Sequence, residues 1–287
     1  MYTDIKTILK NAAENNYAVL ATSPINLESA RGMVRAAEEK KAPIIFLLGQ
    51  NMMRQHAKAE LIIPMIKTLA EYSTVPIATC LDHGNDPERL MYAFRNGFSS
   101  IMFDGSLLSF EENIKETKRI ASICHQFGMG IEGELGHVGL AANGDEKDES
   151  IYTDPMDAKR FAEETGVDAL AIAIGNAHGN YKEEPHLRFD ILEKVHELVS
   201  VPLVLHGGTG ISEKDFIRCH QSGIKKINIA TATFDSVERS VRESYASGKI
   251  HGYYDLHQAE IHGAYKNAKR HMEVFYSVQK ADDINLF

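Results

Sequence analysis

The chain has 287 residues, 44% of them hydrophobic, which is enough for one large barrel or two ordinary domains around a substantial core. A net charge of −9 argues against a broad nucleic-acid footprint, and no apolar run approaches the roughly 20 residues that span a membrane. The opening Met-Tyr-Thr-Asp-Ile-Lys lacks a basic-then-apolar signal pattern. Cys80, Cys124 and Cys219 are scattered with no C-x-x-C pair, so reduced thiols and a cytoplasmic location are expected.

Along the chain the hydrophobic period alternates between strand and helix. Tyr17–Ala21 reads as a short strand, and Asn26–Lys40 as an amphipathic helix with Leu27, Ala30, Val34 and Ala37 on one face. Ala42–Leu48 is a continuous apolar strand and Leu61–Tyr72 a helix. Val75–Leu81 is a strand ending at Asp82-His83-Gly84. Asp86-Pro87 then starts a helix, with Asp as cap and Pro in the first position, that runs to about Asn96-Gly97. Ser99–Phe103 is a strand ending at Asp104, Phe110–Phe127 a helix closed by Gly128, and Met129–Leu135 a strand carrying Glu132 and Glu134. A polar stretch, Gly136–Thr153, precedes another Asp-Pro helix start at Asp154, whose helix ends at Gly166. Val167–Ile174 is a strand closed by Gly175-Asn176-Ala177-His178-Gly179, and a helix follows at Phe189–Val199. The stretch Val201–Gly210 joins a buried strand to His206 and a small-residue turn. Beyond it come a helix at Ser212–Ser222 and the strand Ile224–Ile229. From Thr231 the pattern is helical to the C-terminus, with a Gly/Tyr/His-rich break near Gly248–Asp255.

Eight strand candidates, each followed by a helix, predict a single (β/α)8 TIM barrel over 1–287 with a C-terminal helical extension from about 232; a doubly wound open sheet is the alternative. In such a barrel the chemistry lies at the C-terminal ends of the strands. Those ends carry Asp82-His83, Asp104, Glu134, His178, His206 and Asn228. Three histidines closing three different strands could converge, and three imidazoles with an open position make up a catalytic zinc site. Gly179, the Gly207-Gly208-Thr209 turn and Asn228–Thr231 follow late strands, where barrels of this type commonly bind phosphate. Each of these loops taken alone is equally an ordinary tight connection.

Five blocks together are similar to the class II, metal-dependent ketose-bisphosphate aldolases, which include the fructose- and tagatose-bisphosphate enzymes. They are Val-Pro-Ile-Ala-Thr-Cys-Leu-Asp82-His83-Gly84, Ile-Glu-Gly-Glu134-Leu-Gly, Ala-Ile-Gly-Asn-Ala-His178-Gly179, Leu-Val-Leu-His206-Gly-Gly-Thr-Gly and Lys-Ile-Asn228-Ile-Ala-Thr231. They stand in family order and the resemblance covers nearly the whole chain. It implies zinc bound by His83, His178 and His206, acting as a Lewis acid on dihydroxyacetone phosphate and stabilising its enediolate. It implies that Asp82 polarises the aldehyde or protonates the new hydroxyl, and that Asp104 and Glu134 hold a second or displaced metal ion. Gly179, Gly207, Gly208, Thr209 and the segment Asn228, Ile229, Ala230, Thr231 match the phosphate-binding positions, with Na+ or K+ nearby. The implied activity is cleavage of the C3–C4 bond of a phosphorylated sugar by a homodimer or homotetramer. The residues agree in one respect: the reaction needs an electron sink, and no cofactor motif or well-placed lysine supplies one.

The chain departs from the family pattern around the substrate. Where the family has Gly-Gly-x-Glu-Asp after Glu134-Leu-Gly, this loop reads Gly136-His-Val-Gly-Leu-Ala-Ala-Asn-Gly-Asp145-Glu146-Lys-Asp-Glu149. Ala142 stands in direct register with the family's proton-exchanging glutamate. Glu146 is the expected replacement, with Asp145, Glu149 and His137 as alternatives. The first strand ends Ala21-Thr22-Ser23-Pro24 instead of in a Phe-Asn-type pair, and the second in Leu48-Gly49-Gln50 instead of near a Ser. A substrate other than fructose 1,6-bisphosphate is therefore expected. A barrel-type metal hydrolase is a weaker alternative, since no His-x-His pair closes the first strand. A non-catalytic sugar-phosphate binder that lost the loop base is a third reading.

Overall fold

The computed structural model describes residues 1–56 and 58–284. The chain opens with a two-residue strand, β1 (Tyr2–Thr3), and helix α1 (Ile5–Glu14), whose first turn is capped by Asp4 accepting from Thr7 N. Eight of the apolar runs form β2 (Val19–Thr22), β3 (Ile44–Gly49), β4 (Ile77–Gly84), β5 (Ser100–Phe103), β6 (Gly130–Leu135), β7 (Ala169–Ile172), β8 (Leu203–Leu205) and β9 (Ile224–Ile229). All pair in parallel with their sequence neighbours. β9 also pairs with β2, Leu20 facing Ile227, so the sheet closes on itself and the open doubly wound alternative is ruled out. The protein is a (β/α)8 barrel.

The helices between strands are α2 (Leu27–Lys40), α3 (Gln50–Gln55), α4 (Ala59–Tyr72), α5 (Pro87–Asn96), α6 (Phe110–Gln126), α7 (Pro155–Thr165), α8 (Phe189–Leu198) and α9 (Glu213–Gln221). Asp86 and Asp154 cap the two Asp-Pro starts, and Ser109 with Glu112 forms a capping box on α6. α10 (Thr231–Ala246) and α11 (Tyr253–Val274) follow the last strand, with α11 packed on α2. The expected helix to the C-terminus stops at Val274. The chain then folds back, so that Gln279 N and Ala281 N donate to the Lys40 and Lys41 carbonyls. The last three residues of that expected helix lie outside the described residues.

Strand alternation sorts the core into two shells. Leu20, Ile44, Phe46, Ile77, Ile101, Ile131 and Ile227 face outward to the helices. Val19, Ala21, Ile45, Leu47, Ala78, Cys80, Met102, Ala171 and Val204 face the barrel axis, where they meet Ile5, Ile8, Leu9 and Ala12 of α1. β1 pairs with the start of β4, and Ile5 N donates to Ser100 Oγ at the start of β5. α1 is therefore the floor of the barrel at its N-terminal mouth. The three cysteines are buried and free, and among the described residues no helix is long and apolar enough to cross a membrane.

Candidate active site

Inward positions near the strand ends place charge where the axis would otherwise be apolar. Glu132 and Glu134 of β6, Asp82 of β4, and Lys226 and Asn228 of β9 all alternate with outward-facing aliphatic residues. Asp82 and His83 are adjacent and in a regular strand would face opposite sides. Here the β4–β5 register shifts between Leu81 and Gly84, and His83 takes φ +54°. The bulge turns the imidazole toward the axis, at the expense of a left-handed backbone that side chains rarely adopt.

The three histidines meet. One ring nitrogen from each lies within 4.8 Å of the others, and His83 Nε2 and His178 Nε2 are 3.2 Å apart. Each ring is held through its other nitrogen. His83 Nδ1 donates to Asp104 Oδ2 at 2.7 Å, His178 Nδ1 to the Gly139 carbonyl at 3.3 Å, and His206 Nε2 to Glu132 Oε1 at 2.8 Å. That leaves His83 Nε2, His178 Nε2 and His206 Nδ1 available to a metal ion, with Asn228 Nδ2 also 3.2 Å from His206 Nδ1. Partners of this kind fix tautomer and aim at metal centres. The 3.2 Å separation is close to the ~3.4 Å that two nitrogens about 2.05 Å from a tetrahedral ion would have.

The charges around the histidines call for a cation. Burial opposes protonation of His83, but the Asp104 hydrogen bond and the nearby Asp82 and Glu134 carboxylates outweigh it and push the imidazole up to about 10. Burial drives Glu134 up to about 8, with the Asp104 charge adding to it. Burial, then the charges of the other two rings, lowers His178 to about 4. Asp82 Oδ1, Glu134 Oε2 and Asn228 Oδ1 are buried without a hydrogen-bond partner. A donor set of three imidazoles, backed by carboxylates with free lone pairs, fits a zinc-type ion. His83, Asp104 and Glu134 also converge within 4.8 Å, bringing together the two carboxylates expected at a second metal position. The structure adds a second place for Asp104, as the hydrogen-bond partner of His83.

The expected phosphate loops are also brought together. Tyr181 Oη accepts from Ala177 N and donates to the Gly207 carbonyl, tying the β7 and β8 loops. Gly208 N donates to the Asn228 carbonyl and Ala232 N to Thr209 Oγ1, tying β8 to β9 and the start of α10. Gly207 has φ +64°, and a Cβ there would run into the Ala177 carbonyl, so only glycine fits. Ala230 offers no capping side chain, so Thr209 Oγ1 takes a first-turn N–H of α10 instead, and that turn carries no acid. Gly179 stands in the turn that follows His178, with φ +94°.

The loop after β6 is pinned to the site by backbone: Leu140 bridges His178, and Asp145 Oδ2 accepts from Leu140 N. Ala142 is exposed at its tip. Glu146 lies in the short 3-10 turn Asp145–Lys147, near Tyr181, with Oε2 buried and unpartnered. His137 is taken up by Ser106 Oγ at 2.9 Å.

Sequence reasoning missed Glu132 as the partner of His206, the Gly139 carbonyl, Tyr181 and Lys226. Charged residues at inward positions of buried parallel strands were the available signal for Glu132 and Lys226. A lysine does lie on the axis: Lys226 is fully buried with Nζ 2.8 Å from Glu132 Oε2. Burial, the largest single influence, works to neutralise it, but the Glu132 charge and hydrogen bond, with Cys80 and Asp82 nearby, together raise it above its ordinary value. It is a bound ammonium and not a free amine nucleophile.

The family profile described as "Fructose-bisphosphate aldolase class-II" matches residues 3–280. The chain belongs to the class II fructose-bisphosphate aldolase family. It is 38% identical to the sulfofructosephosphate aldolase of Alkalicoccus urumqiensis, covering 98% of both proteins, and 38% identical to the fructose-bisphosphate aldolase of Geobacillus stearothermophilus over 84% of this chain and 85% of that one. The crystal structure of the YdjI aldolase from Escherichia coli K12 superposes with a TM-score of 0.87 at 34% identity, covering 98% of this chain and 100% of that one. Family and relatives together support an aldolase activity.

Proposed function

We propose that this class II aldolase-family protein cleaves the C3–C4 bond of a ketose phosphate, giving dihydroxyacetone phosphate and an aldehyde, and forms the same bond in reverse. The observation that carries the reading is the set of three imidazoles, each with one nitrogen turned to a common point and the other tied to Asp104, Gly139 or Glu132. His83, His178 and His206 would hold zinc, with Asp104 and Glu134 available to a second or displaced ion. The chemistry a bound zinc ion supplies is Lewis-acid polarisation of the ketose carbonyl.

Asp82 stands beside His83 with a buried, unpartnered oxygen, which suits it to take the proton from the C4 hydroxyl in cleavage and return it in condensation. Gly179, Gly207, Gly208, Thr209, Asn228, Ile229, Ala230 and Thr231 would bind the phosphate through backbone N–H groups, the Thr209 hydroxyl and the acid-free start of α10, with Na+ or K+ beside it. Glu146 would exchange the proton on the dihydroxyacetone phosphate carbon, and its unpartnered Oε2 supports that role.

The aldehyde half would occupy a cavity of ≈ 500 Å³ that runs from His83 between α3 and α5, lined by Gln50, Arg54 and Arg89 among others. Arg54, Lys58 and Arg95 in that lining suit an aldehyde with an anionic tail, while Glu60, Asp86 and Glu88 line the same cavity and Asp86 pairs with Arg89. Assembly as a homodimer or homotetramer in the cytoplasm completes the reading.

The test is to incubate zinc-loaded protein with dihydroxyacetone phosphate in heavy water. Stereospecific exchange at the carbon, abolished by a chelator, is expected. A second reading, a non-catalytic sugar-phosphate binder, draws on the exposed Ala142 where the family has its loop glutamate; binding without exchange would favour it.

A further inference from the structure

Directly beneath the histidines, Glu132 and Lys226 face each other across the barrel axis. Both side chains are 0% exposed. Glu132 uses its two oxygens separately: Oε1 accepts from His206 Nε2 and Oε2 pairs with Lys226 Nζ, each at 2.8 Å. The rest of that tier is small or apolar, with Cys80, Ala171 and Val204 pointing inward.

Stability does not account for burying the pair as a whole. A carboxylate alone would satisfy the imidazole N–H. Burying an ammonium beside it adds a desolvation cost, and apolar replacements of such pairs are often neutral or stabilising. What the lysine adds is geometry. A carboxylate held at one oxygen only can rotate about its terminal torsion, and the imidazole it supports can turn with it. Clamped at Oε2, Glu132 presents Oε1 at one place, so His206 presents Nδ1 at one place. Asn228 Nδ2 lies against the same ring, 3.2 Å from Nδ1 and 3.3 Å from Nε2, so it can contact either nitrogen and does not itself fix which one points to the other two histidines.

We propose that Lys226 is a positioning residue of the metal centre: through Glu132 it fixes which nitrogen of His206 ligates and where. The inference rests on the reading of His83, His178 and His206 as metal ligands. It extends the site downward by one tier, so that the chain Lys226–Glu132–His206 spans from β9 to β6 and back to the end of β8.

The test uses the full-length protein stripped of metal and titrated with Zn2+ against a chromophoric chelator. Co2+ absorption spectra report ligand geometry in parallel, and melting of the metal-free protein reports folding. K226M leaves Glu132 as an unpaired buried charge and can fail to fold, so the deciding variant is the double substitution E132Q/K226M. It removes both charges and keeps an amide oxygen able to accept from His206 Nε2, but it has no clamp. Expected are a metal-free melting temperature equal to or above that of the wild type, a zinc dissociation constant raised roughly 10–100-fold, and an altered Co2+ ligand-field spectrum. Wild-type zinc affinity and an unchanged Co2+ spectrum in the double variant would overturn the inference and leave the pair as packing alone. H178A serves as the control on the underlying reading. If the wild-type protein binds no ion, or binds it as well with H178A, the metal centre itself falls and the positioning role with it.

Discussion

The two mouths of the barrel are built from the same eight strands and differ in almost every other respect. At the N-terminal mouth α1 seals the axis with Ile5, Ile8, Leu9 and Ala12, all fully buried against Tyr17, Val19 and Ala78. At the C-terminal mouth the axis carries three histidines and the carboxylates of Asp82, Asp104 and Glu134. Among the described residues, buried side-chain oxygens without a hydrogen-bond partner gather at that end: Asp82 Oδ1, Glu134 Oε2, Glu146 Oε2 and Asn228 Oδ1. The difference shows where each kind of free energy is kept. Along the axis, apolar burial is concentrated below, and unsatisfied polarity that a ligand can complete is concentrated above.

Substitutions at each end can break this division. His178→Ala removes a ligand from the upper mouth. It is expected to lower kcat/KM for cleavage by roughly 10³-fold or more, equivalent to about 4 kcal/mol, while the melting temperature of the metal-free protein stays close to wild type. A comparable loss of stability would refute the separation. Leu9→Ala opens a cavity in the floor and is expected to cost about 2–5 kcal/mol in denaturant unfolding, with KM unchanged in the protein that remains folded.

The helical layer supplies a pH-dependent check. Burial lowers His271 on α11 to about 4, with Nδ1 donating to the Asn267 carbonyl. A histidine whose folded pKa is depressed below 6.5 contributes stability at neutral pH, and that contribution is lost as pH falls from 6.5 toward 4. His271→Gln should therefore flatten the acid limb of metal-free stability by on the order of 2 kcal/mol and leave zinc binding at pH 7.5 unaltered. An acid limb identical to wild type would discard this assignment.

The smallest expected effect concerns selectivity. Arg54→Ala should weaken condensation of dihydroxyacetone phosphate with a phosphorylated or sulfonated aldehyde about tenfold and leave a neutral aldehyde of the same length unaffected. Equal losses for both would remove Arg54 from the cavity's reading of substrate.

Much of the fold was legible because its signals are local. Period and Asp-Pro caps located all eight barrel strands and most helices to within a few residues. α1 was not, because IKTILKNAAE is an unremarkable amphipathic segment until a closed barrel offers it a hole to fill. α3 was missed because six residues carry too little periodicity. At the site, the histidines were legible as strand-end residues beside glycine, and their convergence followed from the barrel. Their supports were not. Glu132 and Lys226 lie mid-strand, where a single charge reads as an interruption of an apolar run, and the Gly139 carbonyl has no side chain to betray it. The loop after β6 stayed opaque because its path is set by Asp145 bonding back to Leu140 and by the tertiary bridge from Leu140 to His178.

The shifted pairing at the end of β4 has a consequence for anyone who would transplant this centre. Copying three histidines to the matching strand ends of an ideal barrel would deliver only two of them to the axis, because a ladder without the fault sends the residue after Asp82 out toward the helices. The unit of inheritance at this position is a stretch of backbone, Leu81 to Gly84, and not a side chain. A designer who regularised it for stability would erase the ligand without changing a letter of the His-rich signature.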